Sequence, residues 1–281
     1  MMKRIIAYLQ LMRFNRPIGT FLLLWPTLWA VWLAANNHPP VRIVIIFVLG
    51  VIVMRAAGCI INDIADRNFD PHVERTKNRP LAMKSINLWE AIVLFVVLML
   101  VALLLVLQLN LYSLYIAIIA AALTILYPFC KRFTYLPQII LAIIFNGTLI
   151  AFAAQQNHLP VLAWLLYFTA IMWTMAYDTM YALTDQDDDA KLGLKSTALL
   201  FAQQSKNIIL IFQLLFLAGL IVVGIIAHLH WLYWLAIIIA LALGIYQQYL
   251  MRRYGDKAGF TAFLNNNWVG LIIFIGILLG K

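Results

Sequence analysis

The chain has 281 residues, of which 65% are hydrophobic and 11% charged, with a formal net charge of +9. A soluble globular domain carries about 25% charged residues, so this composition excludes one and belongs in a bilayer. The positive balance reads as basic loops flanking a membrane, and no nucleic-acid partner is expected.

Lys3, Arg4, Arg13 and Arg16 precede the first apolar run. No small-residue cleavage site follows a short apolar core, so that run is read as a retained span, with Pro17 in its first turn. Apolar runs of near-spanning length recur nine times, at 18–36, 43–62, 89–108, 111–130, 137–155, 160–178, 207–228, 231–250 and 263–280. They predict an all-α, polytopic membrane protein with nine transmembrane helices and a single domain over 1–281.

The connections alternate in character. NNHPPVR, QLN, QQNHLP and HLHW are short and nearly uncharged, whereas 63–88, 131–136, 179–206 and 251–262 are charged. Counting Arg55, the N-terminus and the charged connections hold eighteen of the twenty Lys and Arg, leaving Arg42 and Lys281. The positive-inside rule then predicts a multi-pass protein of the bacterial inner membrane, with a cytoplasmic N-terminus and a periplasmic C-terminus. All eleven acidic residues lie on the cytoplasmic side or at a helix end facing it. A site built from them opens to that side. Cys59 and Cys130 fall near the same reducing face, so no disulfide is expected. Long acidic–basic loops follow the second and sixth spans, and short basic loops follow the fourth and eighth. This predicts two pseudo-repeated four-helix halves plus a ninth helix.

The first long loop opens Asn62-Asp63-Ile64-Ala65-Asp66-Arg67-Asn68-Phe69-Asp70. If the second helix continues through it, Asp63, Asp66 and Asp70 fall within an arc of roughly 60°, with Asn62 at its edge. Like charges on one face repel, and a divalent cation relieves them; Mg²⁺ takes one or two carboxylates plus phosphate oxygens and water. In the second long loop, Asp178, Tyr181, Asp185 and Asp189 share an arc of roughly 80°, while Asp187 points elsewhere. Two matched acidic faces at one membrane surface suit a diphosphate leaving group whose charge a metal neutralises.

Cations stand beside both faces: Arg75 and Arg79 after the first, Lys191 and Lys195 after the second, Lys131 at the end of the fourth span. All are candidate diphosphate contacts. Tyr127 precedes Lys131 by one helical turn and can share its space. Arg55 lies inside the second span, two turns before Asn62 and on the face of Asp66 and Asp70. An ionised residue within a span marks a functional site, and this one is placed to receive an anionic co-substrate.

Five segments together resemble the UbiA superfamily of intramembrane prenyltransferases. MRAAGCIINDIADRNFDPHVERTKNRPLA from Met54 is similar to its first signature, and YDTMYALTDQDDDAKLGLKSTA from Tyr177 to its second. RFNRPIGTFLLLWPTLWA, YPFCKRFTYLPQ and FLNNNWVG extend the likeness over nearly the whole chain. The Met-Arg-x-Ala-Gly-Cys run before Asn-Asp resembles the branch that prenylates 4-hydroxybenzoate in ubiquinone biosynthesis. Ile64 departs from the pattern, where an aromatic is common.

The resemblance implies nine helices around a central cavity, with Mg²⁺, a polyprenyl diphosphate and 4-hydroxybenzoate as ligands. Carried over, metal and diphosphate positions are Asn62, Asp66, Asp70, Asp178, Asp185 and Asp189, with Asp63 in the same face. Tyr127 and Lys131 match diphosphate contacts, and Arg55 an arginine near the aromatic acid. Arg55, Tyr127, Lys131 and Tyr181 are the expected catalytic group. Alternatives are a superfamily member acting on a naphthoate or a haem, and, from another class, a membrane transporter.

Overall fold

The computed structural model describes residues 2–73 and 76–280, and among these it is helical with no strand. Twelve α-helices follow in order: α1 (Met2–Leu11), α2 (Ile18–Ala34), α3 (Val41–Asp66), α4 (Leu88–Val106), α5 (Leu111–Cys130), α6 (Pro137–Ile144), α7 (Thr148–Gln156), α8 (Val161–Lys191), α9 (Thr197–Phe201), α10 (Ser205–Ile226), α11 (Trp231–Tyr254) and α12 (Gly259–Leu279). Among the described residues, eight helical stretches are long and apolar enough to cross a membrane, counting 137–156 as one. The shorter apolar α2, at 17 residues, makes nine. The protein is a multi-pass membrane protein.

Two spans run past their apolar ends. α3 continues to Asp66 and α8 to Lys191, because neither segment meets a helix breaker earlier. Pro71 lies beyond the first, and Gly193, at φ +67, takes the left-handed position beyond the second. The 31 residues of α8 span about 46 Å, well over the hydrocarbon core, so its acidic end stands clear of the apolar slab.

The predicted fifth span, 137–155, is two helices. The backbone departs from the helix at Phe145–Gly147, between α6 and α7. Its polar groups find partners: the Gly147 amide donates to Thr27 Oγ1 at 3.2 Å, and the Thr148 amide to Asn146 Oδ1 at 3.2 Å. Phe145, Asn146 and Gly147 line an internal cavity, where non-helical backbone is tolerated at membrane depth. Two elements were not foreseen. α1 buries Ala7 and Leu11 against Ile60, Leu81, Ile86 and Ala91, and Arg4 reaches Glu90 at 2.7 Å. α9 packs on α8, tied by Thr197 Oγ1 to Thr179 Oγ1 at 3.0 Å.

A packed half and an open half result. α8 lies against α10, and α12 against α11, α2 and α8. Trp29 of α2 meets Trp173 of α8 at 5.1 Å between rings, and Trp173 meets Phe216 of α10 at 5.8 Å. The three consecutive asparagines of α12 hold this core by polar bonds. Asn266 Oδ1 accepts from Trp173 Nε1 at 2.9 Å, Asn267 Oδ1 from Trp25 Nε1 at 3.0 Å, and Asn265 Oδ1 from Gln247 Nε2 at 2.9 Å. Helices in lipid gain little from apolar burial, so such bonds and close packing hold them together. The open half, bounded by α3, α4 and α5, encloses the cavity together with α2, α6, α7 and α8.

Candidate active site

One face of α3 and one face of α8 meet at the same end of a cavity of about 700 Å³. From α3 come Arg55, Asn62, Asp63 and Asp66; from α8 come Asp178, Tyr181, Asp185 and Asp189. Asp187 and Asp188 are not in the wall. The helical spacing read for the second motif therefore holds through all three turns. The first motif is helical only to Asp66. Asp70 sits in a 3₁₀ turn at Asp70–His72 and returns to the cavity by a bend of the chain, not by continuing the helix.

The carboxylates of the first motif have different surroundings. Asp63 is 1% exposed and accepts from Arg13 Nη2 at 2.8 Å and 3.0 Å; Arg79 Nη1 lies 3.1 Å from it. The same Arg79 bonds Asp70 at 2.9 Å. Two guanidiniums and two carboxylates thus tie the loop after α3 to the turn before α2. Asp66, by contrast, feels the Lys131 ammonium most strongly among its charged neighbours.

Lys131 caps the end of α5 and acts electrostatically on both Asp66 and Asp178, which places it between the two acidic faces. Tyr127, one turn earlier, lies near Asp178, Asp66, Arg55 and Tyr181. Arg132 anchors this corner: Nη2 donates to the Ala65 carbonyl at 2.8 Å, and its guanidinium lies over Phe69 and Phe129.

Arg55 lies deeper. Its guanidinium is 5.4 Å from the centre of the Phe145 ring, at the break between α6 and α7. A Cβ on Gly19 of α2 would overlap its Nη2, Cζ and Nε, so the missing side chain provides the floor on which the guanidinium rests. Among the described residues Arg55 makes no ion pair with any carboxylate.

Several candidates lie elsewhere. Lys191 is outside the cavity wall and turns to Asp188 at 3.8 Å. Lys195 Nζ donates to the Phe133 carbonyl at 3.2 Å and lies over Tyr135. Arg75 falls outside the described residues. Residues not singled out from sequence also face the cavity: Arg13, Arg16, Gly19 and Tyr177. The Arg-x-x-Arg-Pro run before the first span was the available signal for the first two, masked by the ordinary abundance of basic residues there.

The UbiA prenyltransferase family matches residues 23–275. This chain belongs to that family. The 4-hydroxybenzoate octaprenyltransferase of Coxiella burnetii (strain CbuK_Q154) is 49% identical over 278 residues, covering 99% of this chain and 97% of the relative. The enzyme of the same description from Aeromonas hydrophila is 49% identical with the same coverage. The apo structure of a UbiA homolog from Aeropyrum pernix K1 superposes with a TM-score of 0.81 at 24% identity, covering 93% of this chain and 98% of that one. A UbiA homolog from Archaeoglobus fulgidus, bound to GPP and Mg²⁺, gives a TM-score of 0.73 at 17% identity, covering 98% of each chain. Both likenesses establish the fold, and family membership removes the transporter alternative.

The donor chemistry of this UbiA-family site fits Mg²⁺. Every candidate ligand is a hard oxygen donor: the Asn62 amide and the carboxylates of Asp66, Asp178, Asp185 and Asp189, drawn from two helices. Among the described residues no three acidic, histidine or cysteine side chains close into a metal cage. Mg²⁺ dehydrates reluctantly and usually takes one or two carboxylates plus substrate phosphates, so an open oxygen-lined mouth suits it better than a cage.

Proposed function

We propose that this protein transfers a polyprenyl group from a polyprenyl diphosphate to the ring carbon ortho to the hydroxyl of 4-hydroxybenzoate, releasing diphosphate. The observation that carries the reading is the polarity of the cavity between α3 and α8. Two acidic helix faces and Lys131 stand at one end, the Arg55 guanidinium lies below them against Phe145, and apolar wall continues beyond. The named activity of relatives alike over nearly the full chain supports the same acceptor and donor.

Asn62, Asp66, Asp178, Asp185 and Asp189 would hold Mg²⁺. When bound, it supplies Lewis-acid neutralisation of the diphosphate charge. Lys131, between the two faces, donates to diphosphate oxygens as the carbon–oxygen bond breaks, and Tyr127 adds a phenol donor. Asp63 and Asp70 serve mainly to hold Arg13 and Arg79, which fixes the loop over the mouth. Arg55 binds the acceptor's carboxylate through two parallel hydrogen bonds and sets the ring below the leaving group. The acceptor's phenol oxygen enriches its ortho carbon, which attacks the allylic cation and then loses a proton. The apolar walls keep water from that cation.

The distribution of Lys and Arg supports an inner-membrane placement with the N-terminus and the acidic mouth cytoplasmic and the C-terminus periplasmic. We take 1–281 as one domain. The test is purified protein in detergent with Mg²⁺, 4-hydroxybenzoate and a radiolabelled long-chain prenyl diphosphate. Prenylated acid is expected; label recovered only as unreacted diphosphate, or on a naphthoate in preference to the benzoate, would refute the reading.

A further inference from the structure

The cavity does not stop at its acidic mouth. Along α3 its wall is made by Phe47, Gly50, Met54, Gly58, Asn62 and Asp66, a run of three- and four-residue steps on one helix face. With Ile46 as the last lining residue, twenty residues at 1.5 Å each give about 30 Å, the thickness of the hydrocarbon core.

Gly50 is the bare point in that wall. A Cβ there would meet no atom within 4 Å. The other cavity glycines differ: a Cβ on Gly19 would overlap Arg55, one on Gly147 would overlap Thr27, and one on Gly58 would touch Thr124 Cγ2 at 3.7 Å. No neighbour presses on Gly50, and its φ is not in the left-handed region. Neither packing nor backbone conformation requires a glycine, which costs about 1 kcal/mol relative to alanine inside a helix. What glycine at position 50 provides is bore.

We propose that Gly50 keeps the cavity open for the distal part of the prenyl chain and thereby admits long chains. The proposal rests on the reading of the donor as a polyprenyl diphosphate. Gly50 precedes Asn62 by twelve residues, about 18 Å along the helix axis. With carbon–carbon bonds of about 1.5 Å, an extended isoprene unit advances about 5 Å. A chain whose diphosphate sits at Asn62 and Asp66 reaches Gly50 in its fourth unit. Geranyl and farnesyl chains end short of it, and longer chains pass it.

The experiment uses the full chain in detergent, as wild type, Gly50→Ala and Gly50→Phe. Geranyl, farnesyl and eight-unit prenyl diphosphates are compared in two assays. One is turnover with 4-hydroxybenzoate; the other is Mg²⁺-dependent binding of each diphosphate without acceptor, by titration calorimetry. Gly50→Phe is expected to stay within about threefold of wild type on geranyl diphosphate and to lose at least about tenfold on the eight-unit donor, or about 1.4 kcal/mol. Gly50→Ala is expected to match wild type on geranyl and farnesyl diphosphates and to show a smaller loss than Gly50→Phe on the eight-unit donor. An equal loss on short and long donors, no loss on either, or the same loss with alanine as with phenylalanine would overturn the proposal. A wild type that binds all three diphosphates yet prenylates no acid would refute the acceptor reading alone, and the binding series would still decide Gly50.

Discussion

Asp185 and Asp187 stand two positions apart and face different surroundings: Asp185 lines the cavity and Asp187 does not. We predict that Asp66→Ala and Asp185→Ala each lower turnover on the order of a hundredfold, the usual cost of removing one transition-state charge partner, while Asp187→Ala stays within a few-fold. Equal sensitivity at 185 and 187 in a steady-state assay would refute the helical assignment of roles. Arg55 carries a second prediction. Its charge-assisted bonds to a carboxylate contribute about 1.5–3 kcal/mol, roughly ten- to hundredfold in affinity. Arg55→Ala should raise KM for the aromatic acid by that factor and leave KM for the prenyl donor nearly unchanged; Arg55→Lys should recover part, lacking the planar fork. An unchanged acid KM would remove Arg55 from the acceptor pocket. Gly19→Ala should mimic a weaker Arg55→Ala, because the new Cβ displaces the guanidinium from its floor. The same KM split, with the acid affected and the donor spared, is the measurement that checks it. Most of these residues were legible in the sequence, since a carboxylate or an arginine in an apolar run announces itself. Gly19 was not, because nothing in a sequence shows which distant side chain a glycine makes room for.

At the scale of elements, long uncharged runs revealed the spans, and their errors have physical causes. α1 was missed because Lys3 and Arg4 interrupt its apolar pattern, although Ala7 and Leu11 are buried where it lies on α3 and α4. The division of 137–155 was missed because Asn146-Gly147-Thr148 reads as a tolerable polar patch in an apolar run. Only the tertiary partner Thr27, from another helix, completes the bonds that make a break affordable. A prediction follows from that joint. A Cβ on Gly147 would overlap the Thr27 side chain, so Gly147→Leu should cost about 1–3 kcal/mol, as overpacking does. Thermal unfolding in detergent, with Gly244→Leu as the comparison at a glycine outside the cavity, measures it. An unchanged midpoint for Gly147→Leu would show that the break yields freely.

For the whole molecule, charge balance makes a simple demand. Two acidic helix faces cannot hold a diphosphate without a cation, so EDTA should abolish turnover and added Mg²⁺ restore it. Full activity in metal-free buffer would contradict the arrangement proposed for α3 and α8. Orientation is checked separately: a periplasm-active reporter fused after Lys281 should be active, and one fused before Met1 should not. Alternation of charged and uncharged loops made the succession of spans legible from sequence. The cavity was expected only through family resemblance, because a void is a property of how helices fail to touch, and no residue encodes it alone.

The cavity runs from an acidic mouth to the far side of the hydrocarbon slab, so the reaction is carried out across a phase boundary. Diphosphate is born on the aqueous side. The prenylated ring is born with its tail already in an oil-like phase. At about 0.8 kcal/mol per buried methylene, each isoprene unit of the proposed product adds about 4 kcal/mol, so a long tail does not escape through water. Release is therefore lateral partitioning into the surrounding lipid. The two products of the proposed reaction are thereby sorted by solubility as they form.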